Sequence, residues 1–224
     1  MAAKKVSGNK GAGVRRLLSR EIVAAVAREL IIEGGHEALS LRNLAGHLNV
    51  TAAALYAYFD DKLDLLRMVA SGEFERLIRQ YEAVGGREPI EKLCKISYAY
   101  VDYARNNPEL FRAMFLFPPY VDDPSSGERN RWSDRAFRTV SQITEEAISQ
   151  GKLRAGDTLL TSVSIWSAVH GVASIVLLGA PVGRKKEDML IHSVVDGILR
   201  GLAEPGSETG AILDSLDRYG PSEN

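Results

Sequence analysis

Cysteine is nearly absent: Cys94 stands alone in 224 residues, so neither a disulfide framework within the chain nor a cysteine-rich zinc site can form. A reducing, cytoplasmic compartment fits that usage. Histidine is sparse too, and His36, His47, His170 and His192 show no His-Glu-x-x-His spacing for a metal. Gln150-Gly151-Lys152 lacks the upstream glycine and the following Ser or Thr of a phosphate-binding loop. Gly11-Ala12-Gly13 leads into basic residues rather than out of a strand, so it is no dinucleotide fingerprint, and no nucleophile elbow occurs. The expectation is a protein that is not an enzyme and holds no metal or cofactor.

Two further absences concern charge. Residues 1–20 contain six basic side chains and no acid, a basic arm suited to a polyanion although the whole chain is at −1. Residues 158–183 contain no Asp, Glu, Lys or Arg and are followed by Arg184-Lys185-Lys186. Length alone would let that stretch cross a membrane. Its serines and threonines, His170 and the closing Pro181 instead suit the buried centre of a protein or dimer, and no membrane partner is expected.

Alternating strand patterns are missing as well, and helical periodicity runs throughout, which predicts an all-α chain. Ile22, Val23, Val26, Leu30 and Ile31 mark a first helix that Gly34-Gly35 stops. Leu41, Leu44, Ala45 and Leu48 follow behind Ser40, and Asn49 suits a tight turn. Thr51 is a good N-cap for a helix from Ala52 to Tyr58, and Asp60-Asp61 open a fourth helix running to about residue 83. Gly85-Gly86 is the best hinge. Beyond it, helices are expected from Pro89 to Asn106, from Pro108, from Trp132 to Ser149, from Asp157 to Leu178 and from Glu187 to Leu202. Residues 118–130 read as a loop. The domains expected are an arm over 1–16, a first unit of short helices over 17–66, a larger helical unit over 84–204 and a flexible tail over 205–224.

Two short helices joined by a tight turn, with a support helix before them, make a helix-turn-helix unit. The run Ser40-Leu41-Arg42-Asn43-Leu44-Ala45, Val50-Thr51, Leu55-Tyr56-Ala57-Tyr58-Phe59, Lys62 and Leu65-Leu66 resembles the DNA-binding domain of TetR/AcrR regulators over about residues 17–66. Asn49 stands where that family usually has glycine, and Ala52-Ala53-Ala54 offers few groups to hydrogen-bond a base. The resemblance implies phosphate contacts from Tyr56 and Lys62, with Tyr58 beside them, and a base contact from Arg42, for which guanine is the usual target. Thr51 can present its hydroxyl and the helix N-terminus to a phosphate. Ala52 and Ala53 touch thymine methyls or simply let the backbone approach.

In the C-terminal part, Trp166-x-x-x-His170-Gly171 is similar to the WHG-type ligand-binding domain of some TetR regulators. Tyr98, Phe111, Phe115, Phe117, Trp166 and His170 are the candidate lining of a pocket for a largely apolar effector, or else core. Such a regulator would bind a palindromic double-stranded operator as a homodimer, joined through the helices over 158–178 and 187–202 and released by its ligand. The alternatives are a helical interaction module with a basic tail and a C-terminally anchored membrane protein; sequence-specific DNA binding separates them.

Overall fold

The computed structural model of the chain describes residues 18–116, 131–179 and 183–216, and these residues contain ten helices and no strand. Phe117, the arm and the whole of the 118–130 loop lie outside the described residues. In chain order the helices are α1 Arg20–Ala38, α2 Leu41–Leu48, α3 Ala52–Leu55, α4 Lys62–Ala83 and α5 Pro89–Asn106, followed by α6 Pro108–Leu116, α7 Arg131–Ser149, α8 Thr158–Leu177, α9 Arg184–Leu202 and α10 Thr209–Ser215.

The starts and stops have local causes. Ser19 accepts from Ile22 N at 3.3 Å to open α1, and Asp157 accepts from Leu160 N at 3.0 Å to open α8. Pro89, which needs no N–H partner, sits in the first turn of α5. Helical geometry in α1 breaks at Gly34 and Gly35, and Gly35 has a φ of 72° that favours glycine. A Cβ there would also lie 2.9 Å from Glu109 Oε2. That break turns the chain towards α2.

Apolar burial divides into two cores. Val23, Ala27, Leu30 and Ile31 of α1 pack with Leu44, Ala45, Leu55 and Phe59 in the first. The second gathers α5, α7, α8, α9 and α10. Two helices serve both. α4 gives Leu65, Leu66 and Val69 to the first core and Phe74, Leu77, Ile78 and Tyr81 to the second; α6 gives Leu110 and Ala113 to the first and Phe111 and Met114 to the second.

The expected flexible tail over 205–224 is corrected for its first half, because residues 209–215 form α10. Leu213 is 3% exposed against the second core, and Thr209 donates from its hydroxyl to the Lys152 carbonyl at 2.7 Å. One buried leucine and a tied-down first residue hold a segment whose composition reads as polar. α9 begins at Arg184 rather than Glu187, since the Lys186 and Glu187 amides both reach the Gly183 carbonyl at 3.1 Å. α8 is long and apolar enough to cross a membrane by length and composition, with a mean hydropathy of 1.6 over its most apolar window and 33% of that window buried. It packs on α5, α7 and α9, and it leaves Leu159, Leu160, Val163, Trp166, Ile175 and, just past its end, Leu178 exposed.

Candidate nucleic-acid interface and sensor core

The helix-turn-helix geometry follows from three short polar residues. Ser40 accepts from Asn43 N at 3.1 Å and caps α2. Asn49 takes the left-handed conformation, with φ 54° and ψ 45°, and its own amide bonds back to Gly46 at 3.2 Å. The next amide, of Val50, reaches the Ala45 carbonyl at 3.0 Å, the doubled end bond that closes a left-handed helix stop. Asn tolerates this conformation almost as glycine does, so its departure from the family pattern costs the turn little. Thr51 then accepts from Ala54 N at 3.2 Å and opens α3.

The expected helix over 52–58 is shorter than its pattern. α3 ends at Leu55, and the chain continues in tight turns where Tyr58 N donates to Leu55 O at 2.9 Å. Those turns let Phe59, 1% exposed, plug the first core while Tyr56 stays 55% exposed, 6.1 Å from it between ring centroids. Asp61 accepts from Asp64 N at 2.7 Å and restarts the helix at Lys62.

Of the sequence-predicted residues, Arg42, Thr51, Ala52, Ala53, Tyr56 and Lys62 are exposed, while Tyr58 is half-buried against the first core. A shallow cleft of about 460 Å³ runs along the outer face of α2, lined by Ser40, Arg42, Asn43, Gly46 and His47. Asn43 and His47 therefore share the face that carries Arg42; an i, i+4 spacing from Asn43 to His47 was the available signal.

The aromatic candidates separate. Phe111, Phe115, Trp166 and His170 come together: His170 lies 4.6 Å from Phe115, 5.8 Å from Phe111 and 5.2 Å from Trp166 between ring centroids, stacked on the last two. Tyr98 does not join them; its hydroxyl meets His192 Nδ1 on α9 at 2.8 Å. Tyr100 takes that place, 2.7 Å from His170 Nδ1 and edge-on to Phe111 at 5.3 Å. Residues two apart on a helix point to opposite sides, so only one of the two tyrosines could reach the cluster. Burial holds His170 below its ordinary pKa and pushes the Tyr100 phenol up, so a neutral imidazole and a protonated phenol share that hydrogen bond. Phe111 is fully inside, Phe115 half-buried and Trp166 39% exposed, which puts the cluster partly in the core and partly at the open face of α8.

No group of three or more His, Cys, Asp or Glu suited to a metal ion occurs among the described residues. Cys94 is buried in the second core, and its thiol is pushed up to about 12 by that burial. A capped helix-turn-helix on its own small core, joined by two shared helices to a larger helical body, defines a two-domain DNA-binding regulator. Residues 23–69 match the family model described as bacterial regulatory proteins, tetR family, and residues 93–198 match that of the tetracyclin repressor-like C-terminal domain. The chain belongs to the TetR family of transcriptional regulators.

Among curated relatives, the HTH-type transcriptional repressor KstR of Rhodococcus jostii is 27% identical over 143 residues, 61% of this chain and 67% of that protein. Two solved structures share the fold. A protein of unknown function from Rhodococcus sp. RHA1 superposes with a TM-score of 0.72 at 23% identity, covering 86% of this chain and all of that one. The regulator AibR, solved with isovaleryl coenzyme A and operator DNA, gives 0.58 at 18% identity over 83% and 98% of the two chains.

Proposed function

We propose that the protein is a homodimeric repressor that holds an inverted-repeat operator with two copies of the α2–α3 unit and releases it when a largely apolar small molecule enters the C-terminal domain. The observation that carries the DNA half is the turn at Asn49, which fixes α3 beside α2 with Arg42, Thr51, Tyr56 and Lys62 all outside the core. Tyr56 and Lys62 take phosphates, with Tyr58 beside them, and Thr51 takes another at the start of α3. Arg42 reads a base edge, and the methyl faces of Ala52 and Ala53 let the backbone come close.

Successive major grooves on one face of B-DNA lie about 34–36 Å apart, so two copies of α3 must be held at that separation. The apolar face of α8, with the half-buried Leu190, Val194 and Ile198 of α9, forms the twofold contact. Leu199, at 0% exposure, belongs to the protomer's own core instead. Gly171 lies on the exposed side with nothing within 4 Å of where its Cβ would be, which leaves room for close helix approach. The effector site is the cluster of Phe111, Phe115, Trp166 and His170 with Tyr100. AibR, solved with isovaleryl coenzyme A and operator DNA, supports a regulator of this fold that answers to a small molecule, the aromatic lining here favours an apolar one, and the workplace is the cytoplasm, where the DNA is.

Tyr56→Ala and Lys62→Ala test the docking in gel shifts with a duplex selected by the protein from random sequence. Each should weaken binding about equally across sequences, and the lysine change should reduce the salt slope by about one. Wild-type affinity in both variants overturns the assignment.

A further inference from the structure

Glu73 sits midway along α4 and is 1% exposed. A carboxylate that far from water is costly unless it is paired and fully hydrogen-bonded. Three helices supply the partners. Arg28 of α1 donates from Nε to Oε1 at 2.7 Å, Arg76 of α4 lies 3.2 Å from the same oxygen, and the Tyr103 hydroxyl of α5 donates to Oε2. Tyr103 is 4% exposed, and burial together with the Glu73 charge keeps its phenol protonated and donating.

The placement of these three residues is uneven. α1 gives no residue to the second core and α5 gives none to the first. α1 packs mainly on α2, α4 and α6, and α5 is not among its main neighbours. The one carboxylate therefore joins a helix of the DNA-binding core to a helix of the sensor core, each through its own oxygen. On the sensor side the link is short. Tyr103 lies three residues after Tyr100, about one turn along the same helix, and Tyr100 holds His170 within the aromatic cluster.

We propose that Glu73 is a positioning residue that couples the two halves: the Arg28–Glu73–Tyr103 chain ties the setting of α1, and with it α2 and α3, to the position of α5. The inference rests on the regulator reading above. An occupant of the cluster that displaces Tyr100 carries Tyr103 with it. A hydrogen bond weakens steeply once its geometry is lost, so the carboxylate must then follow Tyr103 or release it. Either outcome alters the anchor of Arg28. The device has two arrangements, paired and released, which a coupling element requires.

The test has two arms on the full-length protein. In the first, without DNA, hydrogen exchange of α1 amides around Arg28 is compared between wild type and Tyr103→Phe. Exchange there should rise several-fold although the substitution is on another helix. Tyr98→Phe, which removes a hydroxyl contact from the opposite side of α5, should leave α1 unchanged. In the second, a duplex selected by the protein is added, and protection of α5 is followed. DNA binding should change α5 exchange in wild type and lose that effect in Tyr103→Phe, because coupling is reciprocal. Unchanged α1 exchange in Tyr103→Phe, or an equal rise in Tyr98→Phe, overturns the proposal. A chain that selects no duplex defeats the DNA reading, and the first arm still decides the coupling.

Discussion

Glu73→Leu separates a structural carboxylate from a dispensable one. Leucine occupies much of the same volume, so the loss is electrostatic rather than a cavity. It strands the Tyr103 hydroxyl, 4% exposed, without an acceptor, a cost of about 1–3 kcal/mol. It also removes the nearer of two counter-charges of Arg28, whose side chain is 20% exposed and which keeps Glu29 at 3.1 Å. Breaking a buried ion pair costs roughly 3–5 kcal/mol when the remaining charge has no access to water. Arg28 has some access, and Arg76 at 49% has more, so the charge part falls to about 1–2 kcal/mol. The total is about 3 kcal/mol, or a fall in Tm of roughly 6–12 °C for a chain of this length.

Thermal and urea unfolding followed by helical circular dichroism measure it, at one fixed protein concentration because a dimer's stability depends on concentration. Glu75→Ala is the control. Its pair with Arg79 spans 3.7 Å between side chains 40% and 58% exposed, and losing it should cost under about 1 kcal/mol. The triple change Arg28→Met, Glu73→Leu and Tyr103→Phe should recover much of the loss, since no unpaired group then remains buried. A Glu73→Leu protein as stable as wild type, or a triple variant as poor as the summed single changes, refutes the reasoning.

Asn49→Ala should destabilise the fold by about 1 kcal/mol, because alanine keeps the Cβ but loses the short polar side chain that lets asparagine adopt the left-handed conformation, whereas Asn49→Gly should stay near wild type by the same unfolding assay. His170 should make stability depend on pH with a definite sign. Its folded pKa lies below 6.5, so the unfolded chain takes the proton first, and the contribution present above pH 6.5 is lost as pH falls through the folded value. His170→Phe should flatten that part of the curve, and a curve that overlays wild type between pH 7 and 5 defeats the assignment. Leu160→Glu with Val163→Glu, on the exposed face of α8, should give a folded monomer in sedimentation with little operator affinity; a chain cut after residue 155 that still sediments as a dimer rules the interface out. Full-length protein that stays in solution only with detergent would favour the membrane reading of α8 instead.

Local signals were legible in the sequence where one residue decides one event. Ser40, Asn49, Thr51 and Asp61 each occupy the cap or turn that their short polar side chains predict. Composition misleads when a single side chain outweighs it, as Leu213 does in folding α10 and Phe59 does in ending α3 early. Partnership across helices was not legible. Neither the choice of Tyr100 over Tyr98 nor the meeting of Arg28, Glu73 and Tyr103 follows from spacing, because each depends on how α1, α4 and α5 are set against one another. Glu73 stands between Gly72 and Phe74 with Arg76 one turn on, and nothing in that run marks the partners on α1 and α5 that only packing brings to it.

The two cores cannot move independently, and α6 shows why. Leu110 and Ala113 face the first core while Phe111 and Met114 face the second, on a helix of nine residues. Phe111 and Phe115 both lie against His170, and the C-terminal end of α8 is held to α6 by Arg112, which donates to the Leu177 carbonyl at 3.1 Å. A helix this short behaves as a rigid rod, so a side chain displaced on one face shifts the other face by a comparable distance. Close-packed interiors do not absorb such shifts gradually. Displacing Phe111 from the sensor cluster therefore forces Leu110 and Ala113 to repack against α1, and α1 carries the helix-turn-helix unit with it. The path through α6 is apolar and that through Glu73 is ionic, so a substitution in one leaves the other in place. Loss of coupling after Tyr103→Phe with full retention after changes confined to α6 would make the ionic path dominant, and the reverse result would assign the shift to packing alone.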